Sequence, residues 1–209
     1  MKKLLSLFLV VVMLFTMVGC GVDLTDIAGA LQKKEVSRGT INGNVYTNDF
    51  LGFTFTSPAS WVYSTDEEIA SLVNLTADTM LDEKFKDALD KNPAIYDMLV
   101  VDSLTGTNIS VGYENLSKTL SSNITETQYA DKLKSQLNSL SGVTYTVSGP
   151  YETVKLGETE FLRVTLKASS NGVSMTQAYY LYKVDGYMSY VIITAVGDYT
   201  IADVEAMFN

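Results

Sequence analysis

The apolar residues fall first in one long, nearly continuous run and then in short stretches whose period alternates between two and about 3.6. Residues 4–18 are almost wholly apolar, interrupted by Ser6 and Thr16. Beyond residue 38 the pattern becomes periodic. Residues 40–46 alternate loosely and predict a first strand, and Phe53-Thr54-Phe55-Thr56 alternates clearly, with both Phe on one face. Pro58 stops that strand and Trp61 follows. Ser64-Thr65-Asp66-Glu67-Glu68 predicts a helix start, with Ser64 and Glu67 or Thr65 and Glu68 as the capping box, and Ile69, Leu72 and Val73 as its buried stripe. Leu81, Phe85 and Leu89 recur every four residues and carry a second helix to about Asp90, where Asn92-Pro93 ends it. Residues 96–101 and 108–113 read as strands joined through Leu104-Thr105-Gly106.

Thr125 and Gln128 make a further capping box. Tyr129, Leu133, Leu137 and Leu140 then align on one helical face, and Ser141-Gly142 closes the helix. From Val143 the texture is β: 143–148, 151–155, 160–167, 174–184 and 187–196, separated by Gly149-Pro150, Gly157, Asn171-Gly172 and Asp185-Gly186. Asp185-Gly186 is a two-residue hairpin signal. Residues 190–196 are apolar apart from Thr194, as expected of a central strand covered on both faces. A last helix is expected over 201–208.

Such short links join antiparallel neighbours, because a parallel crossover needs about a dozen residues. The expected fold class is therefore α+β: an antiparallel β-sheet of roughly six to eight strands flanked by helices. The chain divides into a signal peptide (1–19), a lipidated Cys with its tether (20–38), and a single globular domain (39–209).

Lys2 and Lys3 give the leading segment a positive start. As a helix, residues 4–18 reach roughly 22 Å, short of a hydrocarbon core of about 30 Å, which is the build of a signal-peptide apolar region. Met17-Val18-Gly19-Cys20 resembles the bacterial lipobox, with Met17 where Leu is usual. That resemblance implies cleavage before Cys20, a diacylglyceryl thioether on its sulfur and palmitate-type acyl chains. Two acyl chains suffice for stable anchoring, whereas one is marginal. The expected address is the extracytoplasmic face of the cell membrane. Cys20 is the chain's one cysteine, so a lipidated protein has no thiol left for a disulfide or for nucleophilic chemistry.

Charge narrows the partners. Removing residues 1–19 takes two lysines and no acid, moving the formal charge from −9 to −11. Nucleic acid is excluded, because phosphate binding needs clustered Lys and Arg. An electrostatic membrane-binding face is disfavoured for the same reason. Histidine is absent, which removes the commonest general base and transition-metal ligand. Asp82, Glu83 and Asp87 lack the order of a calcium loop, and Asp66-Glu67-Glu68 is explained by the helix dipole. No cofactor or metal is expected. Ser117-Lys118 and Ser135 do not supply the S-x-x-K arrangement of a Ser–Lys hydrolase.

Aromatic residues supply the remaining candidates. Trp61, Phe53 and Phe55 read as core. Tyr179, Tyr180, Tyr182, Tyr187 and Tyr190 crowd the last hairpin. Strand alternation sends some of them inward, and Tyr179 and Tyr187 are the candidates for an exposed partner surface, toward an envelope protein or a glycan.

The run Val45-Tyr46-Thr47-Asn48-Asp49-Phe50-Leu51-Gly52-Phe53-Thr54-Phe55-Thr56-Ser57-Pro58-Ala59-Ser60-Trp61 resembles the opening of PsbP/Mog1-like domains, where GF-x-F-x-x-P-x-x-W pairs a first hairpin with a buried Trp. It is also similar to lipoproteins of Gram-positive, clostridial-type bacteria, in which an acidic helix start follows the Trp. The resemblance implies an α/β/α sandwich around an antiparallel sheet and no particular activity. The expected role is that of a non-enzymatic binding or scaffolding domain. The alternatives are a small-ligand carrier for a transporter and a carboxylate or Ser–Lys hydrolase.

The anchor is directly testable. Cys20→Ser is expected to move the protein from the membrane fraction to the medium and to abolish labelling by radioactive palmitate. A Cys20→Ser protein that stays membrane-bound, with no label on the wild type, contradicts it.

Overall fold

The computed structural model describes residues 36–209 apart from 121 and 171. The signal segment, Cys20 and the tether up to residue 35 lie outside the described residues. Val36, the first described residue, is already buried.

Two antiparallel sheets form. Strands β1 (Thr40–Asn42), β2 (Val45–Asn48) and β3 (Phe53–Thr56) make a small sheet in that order. The large sheet has eight strands: β4 (Trp61–Tyr63), β5 (Ala94–Asp102), β6 (Asn108–Asn115), β7 (Thr144–Val147), β8 (Glu152–Leu156), β9 (Thr159–Ser170), β10 (Val173–Val184) and β11 (Tyr187–Val196). Their order is β4-β5-β6-β11-β10-β9-β7, with β8 also paired to β9. The strand β11 is central, as its apolar run predicts. Strands β7 and β8 divide the outer edge of β9 between them, and Gly149-Pro150 falls at the break. Proline has no N–H for a ladder and is tolerated at such an interrupted edge. Val184 pairs with Tyr187, so Asp185-Gly186 is the whole hairpin loop, both residues at positive φ.

Helices α1 (Asp66–Leu72), α2 (Asp82–Lys91), α3 (Leu116–Thr119), α4 (Glu126–Ser139) and α5 (Ile201–Glu205) complete the fold, with a 3₁₀ turn at Ala77–Met80. The capping boxes are Thr65 with Glu68, Thr125 with Gln128 and Thr200 with Asp203. The last helix stops at Glu205 rather than at 208. Thr54 N–H donates to the Asn209 carbonyl (2.8 Å) and Asn209 N–H to the Thr54 carbonyl (2.9 Å), drawing the C-terminus onto β3 as an extended strap. The Phe208 ring then packs on Phe53 and Phe55, with centroids 5.2 and 5.1 Å apart. Burying that aromatic outweighs one more helical turn.

Adjacent strand residues face opposite ways, and here both faces are used. One face of the large sheet carries α4, from which the Tyr129 hydroxyl donates to Glu114 Oε2 at 2.5 Å. The other carries α1, α2, α5 and the small sheet, with Phe85 of α2 edge-on to Tyr113. Among the described residues no helix is long and apolar enough to cross a membrane.

The two sheets are joined through Asp97. The β5–β6 register shifts between Tyr96 and Met98, so Asp97 is the extra residue of a β-bulge, a device that re-aims a side chain. Its Oδ2 accepts from the Tyr46 hydroxyl (2.6 Å), Asn48 Nδ2 (2.9 Å) and Gly39 N–H (2.9 Å). Asn48 also donates to the Tyr113 hydroxyl at 2.9 Å. Arg38 Nε lies 3.3 Å from Asp97 Oδ1, while the same guanidinium holds both Asp66 carboxylate oxygens and donates to the Met80 carbonyl at 2.6 Å. Gly39 is required here, because a Cβ would sit 2.4 Å from the Tyr46 ring.

Burial is the largest influence on the Asp97 carboxyl. It outweighs the hydrogen bonds from Tyr46, Gly39 and Asn48 and the Arg38 charge, and pushes the pKa up from 3.8 to about 6. Between those values the folded state keeps a proton that the unfolded chain has released. This group's contribution to stability is therefore full below about pH 4 and is lost as pH rises through about 6, by on the order of 3 kcal/mol. Asp97→Asn removes that titration. Urea unfolding from pH 4 to 7.5 is expected to show wild type losing ground to Asp97→Asn as pH rises. A wild-type advantage that grows over the same range means that the ion pair with Arg38 dominates instead.

Candidate functional site

The expected tyrosine surface is not formed as predicted. Tyr179 is 2 % exposed and its hydroxyl donates to Gln177 Oε1 at 3.3 Å. It belongs to the face under α4, so its assignment to a partner surface is corrected. Tyr180 and Tyr190 are buried as well, on opposite faces of the sheet. Half-buried Tyr187 bonds to Asp90 and to Lys86 Nζ (3.0 Å), with Lys86 5.3 Å above its ring. It secures the end of α2 to the final hairpin. Alternation sends these tyrosines to both faces, and both faces are covered at this end of the sheet.

The covering layers do not extend along the full length of the strands. Near the β9–β10 turn, the face that elsewhere carries the small sheet ends in an open cleft of about 440 Å³. Two cross-strand rows build its floor. Thr146, Lys167 and Thr176 stand opposite one another on β7, β9 and β10, followed on β11 by Ala195. Thr144, Ser169 and Ser174 form the next row. Period-two alternation explains the arrangement: Thr144 and Thr146 are exposed while Tyr145 and Val147 turn toward α4. The small Ala195 side chain leaves the depth. Tyr199 forms one wall, and its ring meets the chain's one tryptophan, Trp61, edge-on at 6.0 Å. Trp61 is 5 % exposed and also packs on Phe55 at 5.8 Å. It is a core residue supporting the cleft wall, as the sequence predicts.

The chemistry of this lining is specific. It carries five hydroxyl side chains in the two rows, the Tyr199 phenol, one ammonium and no carboxylate. Among the described residues none of these groups is engaged in a side-chain hydrogen bond or ion pair. Each hydroxyl offers a donor and two acceptor lone pairs. No contact joins Lys167 to a serine oxygen among the described residues.

Three carboxylates are buried, Asp97, Asp102 and Glu114, and Asp102 accepts from the Thr105 hydroxyl (2.6 Å) and Leu104 N–H (3.2 Å) in its own turn. Asp97 is 1 % exposed and Glu114 5 % exposed, so neither meets a solute. Glu114 is held above the usual carboxylate range by burial, against the opposing bonds from Thr119 and Tyr129. Asp97 and Glu114 occupy opposite faces of the large sheet and do not form a catalytic pair. No cluster of three metal-ligating side chains occurs among the described residues. The sequence analysis missed this cleft. Its signal is the spacing Thr144-x-Thr146, Lys167-x-Ser169 and Ser174-x-Thr176 on neighbouring strands, which becomes one surface only when the register is known.

No family profile and no curated protein matches the chain. A similar solved structure is the solution structure of cyanobacterial PsbP (CyanoP) from Synechocystis sp. PCC 6803, at 13 % identity and a TM-score of 0.46, covering 89 % of this chain and 98 % of that one.

Proposed function

We propose that this chain is a membrane-anchored extracytoplasmic lipoprotein, held by lipid on Cys20, whose domain binds a partner and catalyses nothing. The observation that carries the binding reading is the open cleft at the end of the large sheet. Its hydroxyls and its lysine face solvent without hydrogen-bond or ion-pair partners among the described residues, beside the Tyr199 wall that rests on Trp61. Polar groups gathered without such partners in one concavity are recognition chemistry. Absent histidine, sealed carboxylates and a lysine separated from any serine bond leave no acid–base pair there. A transporter's carrier encloses its cargo, whereas a ligand lying along an open sheet face stays half in solvent, as suits an extended envelope partner.

The test is site-specific photo-cross-linking in intact cells. A photoreactive residue replacing Thr176 in the cleft is expected to give discrete adducts. The same residue replacing Ser135, exposed on α4 across the sheet, is expected to give few. Equal adducts at both positions overturn the assignment of the binding face. Turnover in a broad hydrolase screen, abolished by one Asp, Glu, Ser or Lys substitution that leaves the fold intact, overturns the non-catalytic reading.

A further inference from the structure

We infer that the cleft bounded by Thr146, Lys167, Thr176 and Tyr199 is a subsite for a carbohydrate bearing carboxylate groups, a uronic-acid glycan. The inference rests on reading the cleft as the binding face and adds the class of ligand.

Geometry comes first. The row Thr144, Ser169 and Ser174 sets hydroxyls about 4.8 Å apart across the strands, the other row sets Thr146 and Thr176 about 9.6 Å apart with Lys167 between them, and the two rows lie about 6.7 Å apart along the strands. Every hydroxyl in this lattice is able both to donate and to accept, and Lys167 adds a donor. A sugar ring presents the same kind of surface, a rim of hydroxyls at fixed spacing. A peptide strand asks instead for a sheet edge with open backbone groups. Here β9 and β10 stand inside the ladder with their amides committed to their neighbours, and the outer strand β7 offers an open edge of only 4 residues. Nor does the lining offer a large apolar pocket for a protein anchor, since Ala168, Met175 and Ala195 are small or buried.

Charge then selects among sugars. The chain carries 24 acids and 15 basic residues, yet the lining holds Lys167 and no acid. Lys167 stands at the centre of its row, with a threonine on each side. An ammonium flanked by two hydroxyls fits one carboxylate, the ion pair taken up by Lys167 and the second oxygen by a threonine. Phosphate recognition calls for several cations, a guanidinium fork or clustered backbone N–H groups, none of which lines this cleft.

Tyr199 supplies the third element. Its ring is half-buried against Trp61, so it is fixed in place and presents an aromatic wall. The electron-rich face of such a ring attracts the polarised C–H groups of a sugar. The cleft volume lies within the roughly 300–1,000 Å³ of small-molecule sites, and its open side admits a polymer.

The experiment uses the full lipidated chain in detergent, with Trp61 fluorescence as the reporter through its contact with Tyr199. The probes are a tetrasaccharide alternating glucuronic acid with N-acetylglucosamine, the neutral N-acetylglucosamine tetrasaccharide, and inorganic phosphate. The acidic glycan is expected to give a saturable change and the neutral one to bind at least about tenfold more weakly, as loss of one charge-assisted bond implies. Phosphate is expected not to compete. Lys167→Gln is expected to lose at least about tenfold and Lys167→Arg to retain most of the affinity, while Thr176→Val loses roughly threefold. Lys167 is exposed, so its variants should unfold at the wild-type temperature. Three results each overturn the inference: no saturable change up to about 10 mM acidic glycan, equal binding of the neutral glycan, or equal binding by Lys167→Gln. If cross-links form at Thr176 but the acidic glycan does not bind, the ligand class fails while the binding face survives. If both experiments fail, so does the face.

Discussion

A carboxylate buried between two sheets is the constraint on which this architecture turns. Asp97 enters the interior through a β-bulge and collects three donors from two stretches of chain: Gly39 before the small sheet, and Tyr46 and Asn48 on its strand β2. Arg38 then joins Asp97 to Asp66 at the start of α1. A charge or polar group at this depth is tolerable only when its oxygens are satisfied. The small sheet, the first helix and the N-terminal segment must therefore arrive together. Two further attachments hold the layer. The C-terminal strap seats Phe208 against the small sheet. Arg163 bonds Glu205 at 2.6 Å, and Tyr180 donates to the same carboxylate at 2.5 Å, fixing α5 to the large sheet.

This packing also determines where the molecule is open. The small sheet has short strands, so it covers one end of the large sheet while β9 and β10 run on for 12 residues each. At the covered end the inward positions are apolar or aromatic, as with Tyr180, Val191 and Ile193. At the other end the same alternation brings Thr, Ser and Lys to the surface. The domain thus separates the buried polar network around Asp97, which joins its layers, from the exposed polar chemistry of the cleft, which faces solvent. On the proposed lipoprotein reading, a lipid on Cys20 would hold the domain at the membrane surface within reach of envelope polymers, and its net negative charge would disfavour contact with anionic headgroups.

Elements governed by local chemistry were legible in the sequence. The Thr125–Gln128 capping box, the Asp185-Gly186 hairpin and the central β11 strand each carry their cause within a few residues. What was not legible depends on distant partners. Asp97 interrupts the run from Ile95 to Val100, a signal of a bulge whose purpose appears only with Tyr46 and Arg38 beside it. Tyr179 and Tyr187 have similar strand surroundings in sequence, yet one lies under α4 and the other clasps α2. Helix α5 ends early because Phe208 gains more from the β3 phenylalanines than from another turn. The cleft rows come from three strands, and their convergence requires the register of β7, β9 and β10.

Chemical-shift mapping tests the central claim most directly, namely that the uncovered end of the large sheet is where this domain meets its partner. Isotope-labelled protein would be titrated with polysaccharide isolated from its own cell envelope. The predicted result is a compact set of shifts at Thr144, Thr146, Lys167, Thr176 and Tyr199, extending to the Trp61 indole, with α4 and the Tyr187 region unchanged. Shifts gathered on α4 or around Tyr187 and Lys86, or scattered without a focus while Lys167 and Thr176 stay fixed, would contradict it.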